Sequence, residues 1–183
     1  MIRFSLLLSF IVIIISGSLA QKVDSRLYSA ADIPDSLKIN AHSVKKFEKI
    51  VFQVTGPGKA SYKVHQIITV LNTGGNNELF FIEYTDKFVS LADAEINLYD
   101  ASGRLSRQAK KKDLGSESSG EGLVEDGKVF YLKVPSVVFP VTVEYKYELK
   151  FDGILNYPDY QVLKPNQSVM ESSFEVLVPN SLG

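Results

Sequence analysis

From Val141 to Phe151 the chain alternates without a break. Val141, Val143, Tyr145, Tyr147, Leu149 and Phe151 are apolar or aromatic, and Thr142, Glu144, Lys146, Glu148 and Lys150 between them are polar. A side-chain period of two is that of a pleated strand; a helix cannot sort these two sets, because positions two apart fall on different sides of it. The stretch predicts a strand with one face in a core and the other in water. Each buried side chain contributes roughly 1.5–3 kcal/mol, so a charge at Tyr145 is expected to be severely destabilising. Glu148, on the wet face, is expected to tolerate change.

The same grammar recurs at Phe47 to Val54, Ser61 to Leu71, Glu78 to Tyr84, Leu91 to Tyr99, Lys128 to Val134 and Ser173 to Val178. Between these runs Thr55-Gly56-Pro57-Gly58-Lys59, Asn72 to Asn77 and Asp100-Ala101-Ser102-Gly103 supply residues that preset turns or accept positive φ, so neighbouring strands are expected to form antiparallel hairpins. Gly115 to Gly127, rich in Ser, Gly and Glu, predicts a mobile loop. Many short strands without a long helix define an all-β, antiparallel two-layer β-sandwich over residues 44–183. Residues 21–43 read as an irregular arm, with at most a short helical turn where Ser29 to Ser36 gathers small and capping residues.

Ahead of the arm, Arg3 supplies a positive charge, Phe4 to Ile15 is apolar apart from Ser5 and Ser9, and Ser16 to Ala20 is built of small residues around Leu19. This is the pattern of a cleaved export signal over residues 1–20, with the cut expected between Ala20 and Gln21. The apolar run is shorter than the roughly 20 residues needed to span a bilayer. The expected location is extracytoplasmic, periplasmic or secreted, with no stable membrane span after cleavage.

Charge and cysteine usage narrow the function classes. With 20 basic and 21 acidic residues interspersed, the net charge is -1, which argues against electrostatic capture of nucleic acid. The chain has no cysteine, which removes disulfides, thiolate nucleophiles and cysteine-based zinc sites. No cofactor or metal ligand set is expected.

The residues that could carry chemistry are few. His42 and His65 lie far apart and lack ligand partners at helical spacing, so both read as surface or satisfied histidines. Glu144 and Glu148 share the polar face of the strongest strand, but four residues along a strand span about 13 Å, beyond the roughly 5–9.5 Å that paired carboxylates need in glycoside hydrolysis. They read as a solvated face of alternating charge. Gly56 to Ala60 fails as a phosphate loop, since Gln53 stands where the first glycine belongs and Ala60 where a hydroxyl is required. Lys110-Lys111-Lys112 reads as a strand edge kept soluble, and Asn166-Gln167-Ser168 as a chance glycosylation pattern. Among the aromatics, Phe80, Phe81, Tyr84, Tyr99, Tyr145 and Tyr147 are expected in the core. Tyr157 and Tyr160, in the loop stretch Tyr157-Pro158-Asp159-Tyr160, are the candidates for a contact surface.

A series of landmarks runs through the chain: Tyr28 to Pro34, Asn40-Ala41, Leu71 to Gly74, Ala94 to Asp100 with Ser102-Gly103-Arg104, Pro140 to Tyr147 and Val178-Pro179. In this order they resemble the domain of unknown function found directly N-terminal to transglutaminase-like domains in exported bacterial proteins. The resemblance implies a β-sandwich with no catalysis assigned to it, joined in cis to a papain-like domain that works through Cys, His and Asp. With no cysteine here, no catalytic residue carries over. The family domain usually continues past this point, so the chain is expected to be a fragment of a longer protein. The expected role is a non-catalytic accessory or substrate-presenting module for such a domain. The alternative is a free-standing module that binds a glycan or peptide.

Overall fold

The computed structural model describes residues 25–119, 127–134, 137–154 and 157–180. The signal pattern, with Ala20 and Gln21, lies outside the described residues. Strands β1 (Ser43–Gly56), β2 (Lys59–Val70), β8 (Val141–Asp152), β4 (Val89–Tyr99) and β5 (Leu105–Lys110) lie side by side in that order, each antiparallel to the next. On the far side of β1, β9 (Gln167–Val169) and β10 (Ser173–Leu177) pair with it in parallel, completing a seven-stranded sheet. A three-stranded sheet, β3 (Phe80–Thr85), β7 (Gly127–Lys133) and β6 (Gly115–Ser119), forms the second layer.

Register converts the alternation of β8 into a core. Ile68, Val143 and Leu98 stand in one cross-strand row, and Gln66, Tyr145 and Ile96 in the next on the same face. These apolar side chains pack against Leu79, Phe81, Phe130 and Leu132 on the three-stranded sheet side. At about 25 cal/mol per Å² of apolar surface removed from water, this burial is the main stabilising term.

The predicted sandwich is present, with three corrections of detail. Gly115–Ser119 is a strand, not part of a loop, and Leu105–Lys110 is a further strand that no alternation announced. Both are edge strands held by main-chain pairing; β6 has no apolar side chain and β5 buries only Ala109. Phe80 and Tyr84, expected in the core, point to the outside. Finally, the polar face of β8 is wet only at one end, since Thr142 and Glu144 are fully buried.

The arm is what covers them. It runs as short 3-10 turns at Ser25–Tyr28, Ala30–Asp32 and Asp35–Leu37, and the Ser29 side chain caps the second by accepting from the Ala31 N–H. Ala30 and Ile33 are buried, and the Ala30 N–H donates to the Ala101 carbonyl at 3.1 Å. A bulge in β1 between Lys45 and Phe47 leaves Lys46 as an extra residue. Its ammonium donates to the carbonyls of Arg26 at 2.9 Å and Ser29 at 2.6 Å, fastening the arm to the sheet.

Candidate functional site

Beneath the arm, adjacent strands place Ile67, Glu144 and Asn97 in one row, with Thr69, Thr142 and Tyr99 in the next. Glu144 is the centre. Its Oε1 accepts from His65 Nε2 at 2.7 Å, Lys146 Nζ at 2.8 Å and the Tyr28 hydroxyl at 2.8 Å. Its Oε2 accepts from Tyr99 at 2.8 Å and Asn97 Nδ2 at 3.0 Å. Thr69 and Thr142 close the row behind it with a hydroxyl pair at 2.8 Å.

Burial pushes the Glu144 carboxyl pKa up, but hydrogen bonds from His65, Asn97, Lys146 and Tyr28 outweigh it, and the group is held well below the usual carboxylate range. Tyr28 and Tyr99 move upward, first through burial and then through Glu144 itself, so both hydroxyls stay protonated donors. A carboxylate with both oxygens engaged by such donors has neither a proton to give nor a free lone pair for a substrate. What it does here is hold: it joins the arm, through Tyr28, to β2, β4 and β8. The reading of Glu144 as part of a solvated face is corrected accordingly.

Glu148 stays apart from this cluster, in a row with Lys63 and Asp93. Together with Lys146 and Glu95 these residues line a shallow cleft of about 300 Å³, in which the signs alternate. His65 is satisfied by Glu144, whereas His42 lies just before β1, where its carbonyl accepts from the Leu71 N–H that follows β2. There His42 Nδ1 lies 3.0 Å from Asn72 Oδ1, which also accepts from the Gly74 N–H. An amide oxygen only accepts, so His42 carries its proton on Nδ1. Lys111 donates to the Leu91 carbonyl at 2.5 Å. Gly58, at φ 68, turns the β1–β2 hairpin, and Asn166 takes φ 57 while its carbonyl receives the His42 N–H.

The aromatic loop is divided in its roles. Tyr157 is 73% exposed and meets only the edge of Phe52 among the ring contacts, at 5.9 Å. Tyr160 is half-buried, stacks on Phe174 at 5.2 Å, and shares a 2.7 Å hydrogen bond with Ser172.

A second buried polar cluster carried no sequence signal. Lys45 and Glu48, both buried in β1, form an ion pair at 2.9 Å. Glu48 also accepts from Gln66 Nε2 at 2.6 Å and from the Ser172 hydroxyl. This fastens the segment before β10 to the sheet as Glu144 fastens the arm. Among the described residues no three His, Cys, Asp or Glu side chains could share a metal ion, and no helix is long and apolar enough to cross a membrane.

The fold defines an all-β, two-sheet domain whose N-terminal arm is strapped to the larger sheet through Glu144. The chain belongs to DUF3857, a domain of unknown function with solved structure, whose family model matches residues 56–183. No curated protein matches the chain. Fourteen solved chains resemble it. One of them, a crystal structure of a candidate protease from Parabacteroides distasonis ATCC 8503, shares the fold at a TM-score of 0.57 and 10% identity. The likeness covers 78% of this chain and 30% of that one, so the present chain spans under a third of the solved protein.

Proposed function

We propose that this chain is a non-catalytic, extracytoplasmic module that accompanies a transglutaminase-like domain on the same polypeptide, in an accessory or substrate-presenting role. The observation that carries the reading is the asymmetry of the shared fold. It fills most of this chain but 30% of a longer protein described as a candidate protease, leaving that protein ample sequence outside the fold for a reactive centre. The commitment of Glu144 to the arm, the absence of cysteine and the export pattern of residues 1–20 agree with a supporting module. Fold alone does not supply function, so the test lies in the gene and in activity. Genomic sequence beyond the Gly183 codon is expected to continue in frame into a segment with a Cys, His and Asp set. Purified residues 21–183 are expected to turn over neither peptide nor ester substrates. A stop codon directly after Gly183 would favour a free-standing glycan- or peptide-binding module, with exposed Tyr157 as its first candidate contact. Turnover by residues 21–183 would overturn both readings.

A further inference from the structure

A cleft of about 560 Å³ opens beside the start of β3, within the size range of small-ligand sites. One wall is the 3-10 segment Thr73–Leu79, which joins β2 to β3. Its neighbours pin that segment. Asn72 accepts from the Gly74 N–H at 2.9 Å, and Gly75 lies so close to the sheet that an added Cβ would sit 2.6 Å from the His42 carbonyl oxygen. The Phe80 N–H donates to the Asn77 carbonyl, and the Val134 N–H donates to the Leu79 carbonyl at 3.1 Å. The backbone is thus fixed without Thr73, Asn76 or Asn77 side chains, which stay exposed along the cleft. Lys133, the last residue of β7, stands opposite Phe80 in the register, and Phe139 lines the cleft from the segment ahead of β8.

Among the described residues, the Thr73 hydroxyl, the Asn76 and Asn77 amides and the Lys133 ammonium have no hydrogen-bond or ion-pair partner in the protein, and no carboxylate lines the cleft. A second cleft of about 550 Å³ differs in this respect. It gathers Lys59, Lys87 and Lys150, but Glu148 and Asp152 stand among them, and Lys59 lies 3.8 Å from Asp152. The uncompensated charge at Lys133 selects the occupant. An apolar group laid between Phe80 and Phe139 takes water from the ammonium, which is costly unless the same ligand brings an anion. The two amides add a further demand, since each presents donors and an acceptor that a covering ligand must meet. A hydrocarbon acid meets neither amide, whereas a peptide group offers one N–H and one C=O. We infer that this cleft binds the free carboxy-terminal end of a peptide whose last residue is large and apolar. Lys133 pairs the carboxylate, Phe80 and Phe139 flank the last side chain, and Asn76 and Asn77 meet the adjoining peptide groups, a form of chain-end capture. The inference goes beyond the function proposed above, because every residue it uses belongs to this chain and none to an accompanying domain.

The test uses the full-length product of the gene and two fluorescein-labelled peptides of one sequence, glycine and serine ending in phenylalanine, the first with a free carboxylate and the second amidated. Fluorescence anisotropy is expected to show the free acid binding at least about tenfold more tightly, the lower end of what a hydrogen bond to a charged group contributes. Lys133→Met keeps the apolar stem and is expected to bring the free acid down to the level of the amide, whereas Lys133→Arg is expected to keep the difference. Asn76→Ala with Asn77→Ala is expected to weaken both peptides and to leave competition by phenylpropanoate unchanged. Equal binding of acid and amide by the unaltered protein would overturn the inference without recourse to any variant. So would the absence of binding at millimolar peptide, or a preference for the acid that survives Lys133→Met. Phenylpropanoate binding as tightly as the peptide would assign the cleft to free acids and overturn the peptide assignment. None of these results bears on whether the reading frame continues into a second domain, so the proposed function stands or falls separately.

Discussion

Glu144 and Tyr28 are 116 positions apart in sequence and meet through a 2.8 Å hydrogen bond from the phenol to Oε1. The same phenol ring stacks on Tyr99 with centroids 4.1 Å apart, and Tyr99 donates to the other oxygen of Glu144. One carboxylate therefore binds both members of an aromatic pair, one from the arm and one from β4. The arm is held by a charge it does not carry.

Two substitutions at Tyr28 separate the hydrogen bond from the stack. Tyr28→Phe removes one of five donors to Glu144 and keeps the ring, and is expected to lower stability by about 0.5–1.5 kcal/mol. Tyr28→Ala removes both and is expected to loosen the arm, seen as faster amide exchange over residues 26–41 with the β8 amides still protected. Equal arm exchange in the two variants would show that the ring contributes nothing.

The sign of the acid response follows from the same carboxylate. Its pKa is lower in the folded state than the value of about 4.3 expected in the unfolded chain, so the folded state binds fewer protons. The stability it contributes is complete above the unfolded pKa and is lost as pH falls below it toward the folded pKa. Asp100, pulled down to about 2 by hydrogen bonds from Ser102 and Arg104, acts in the same direction from the surface. Urea midpoints are expected to be level near neutrality and to decline below about pH 4.5. Glu144→Gln should have a lower plateau and a shallower acid decline, with the remainder belonging to Asp100 and other carboxylates. An unchanged acid slope in that variant would remove Glu144 from the account.

How far this could be read from the sequence depends on what each contact is made of. The core face of β8 was legible because burial and strand period act residue by residue, and Tyr145 and Leu149 are buried where the alternation puts them. The polar face was not, because the burial of Glu144 depends on Tyr28, placed over it by the arm, and no local pattern links the two. β6 was invisible for another reason: Gly115–Ser119 joins the sheet through main-chain pairing and a hydrogen bond from Tyr131 to Glu117, with no apolar alternation of its own, and its Ser-rich composition is that of a loop. The outward Phe80 and Tyr84 were misplaced because an apolar run does not say which of its two faces meets the core of its own domain.

The Lys45–Glu48 pair gives a prediction of a different kind. Both groups are buried, so the cost of removing them from water is offset only while the pair is intact. Lys45→Met alone leaves Glu48 uncompensated and is expected to cost about 3–5 kcal/mol. Lys45→Met with Glu48→Leu removes both charges, and the double variant is expected to recover part of that loss. It will not recover all of it, because Ser172 and Gln66 lose their acceptor. A double-mutant cycle by denaturant unfolding measures the coupling, and strictly additive losses would mean that the two charges do not sense each other.

Three nearby positions on β8 make the last prediction, since they share secondary structure and differ only in what surrounds them. Tyr145 is buried, its ring 5.9 Å from that of Phe81, and it donates to the Glu78 carbonyl at 2.6 Å. Tyr145→Phe keeps the ring and leaves that carbonyl without the phenol, an expected loss of about 1 kcal/mol. Tyr145→Lys puts a charge between the two sheets beside Glu78, which is already paired with Lys164, and is expected to exceed about 4 kcal/mol, the range in which small domains cease to fold. Glu144→Leu, one residue earlier on the opposite face, strands the donors gathered around the carboxylate and is expected to cost about 3–5 kcal/mol. Glu148→Gln, in the open charged row, is expected to stay within about 0.5 kcal/mol of the parent. If the Glu148 and Glu144 variants lost the same stability, burial under the arm would not be what distinguishes these two carboxylates, and the strap would have to be held by Lys46 and the buried Ile33 instead.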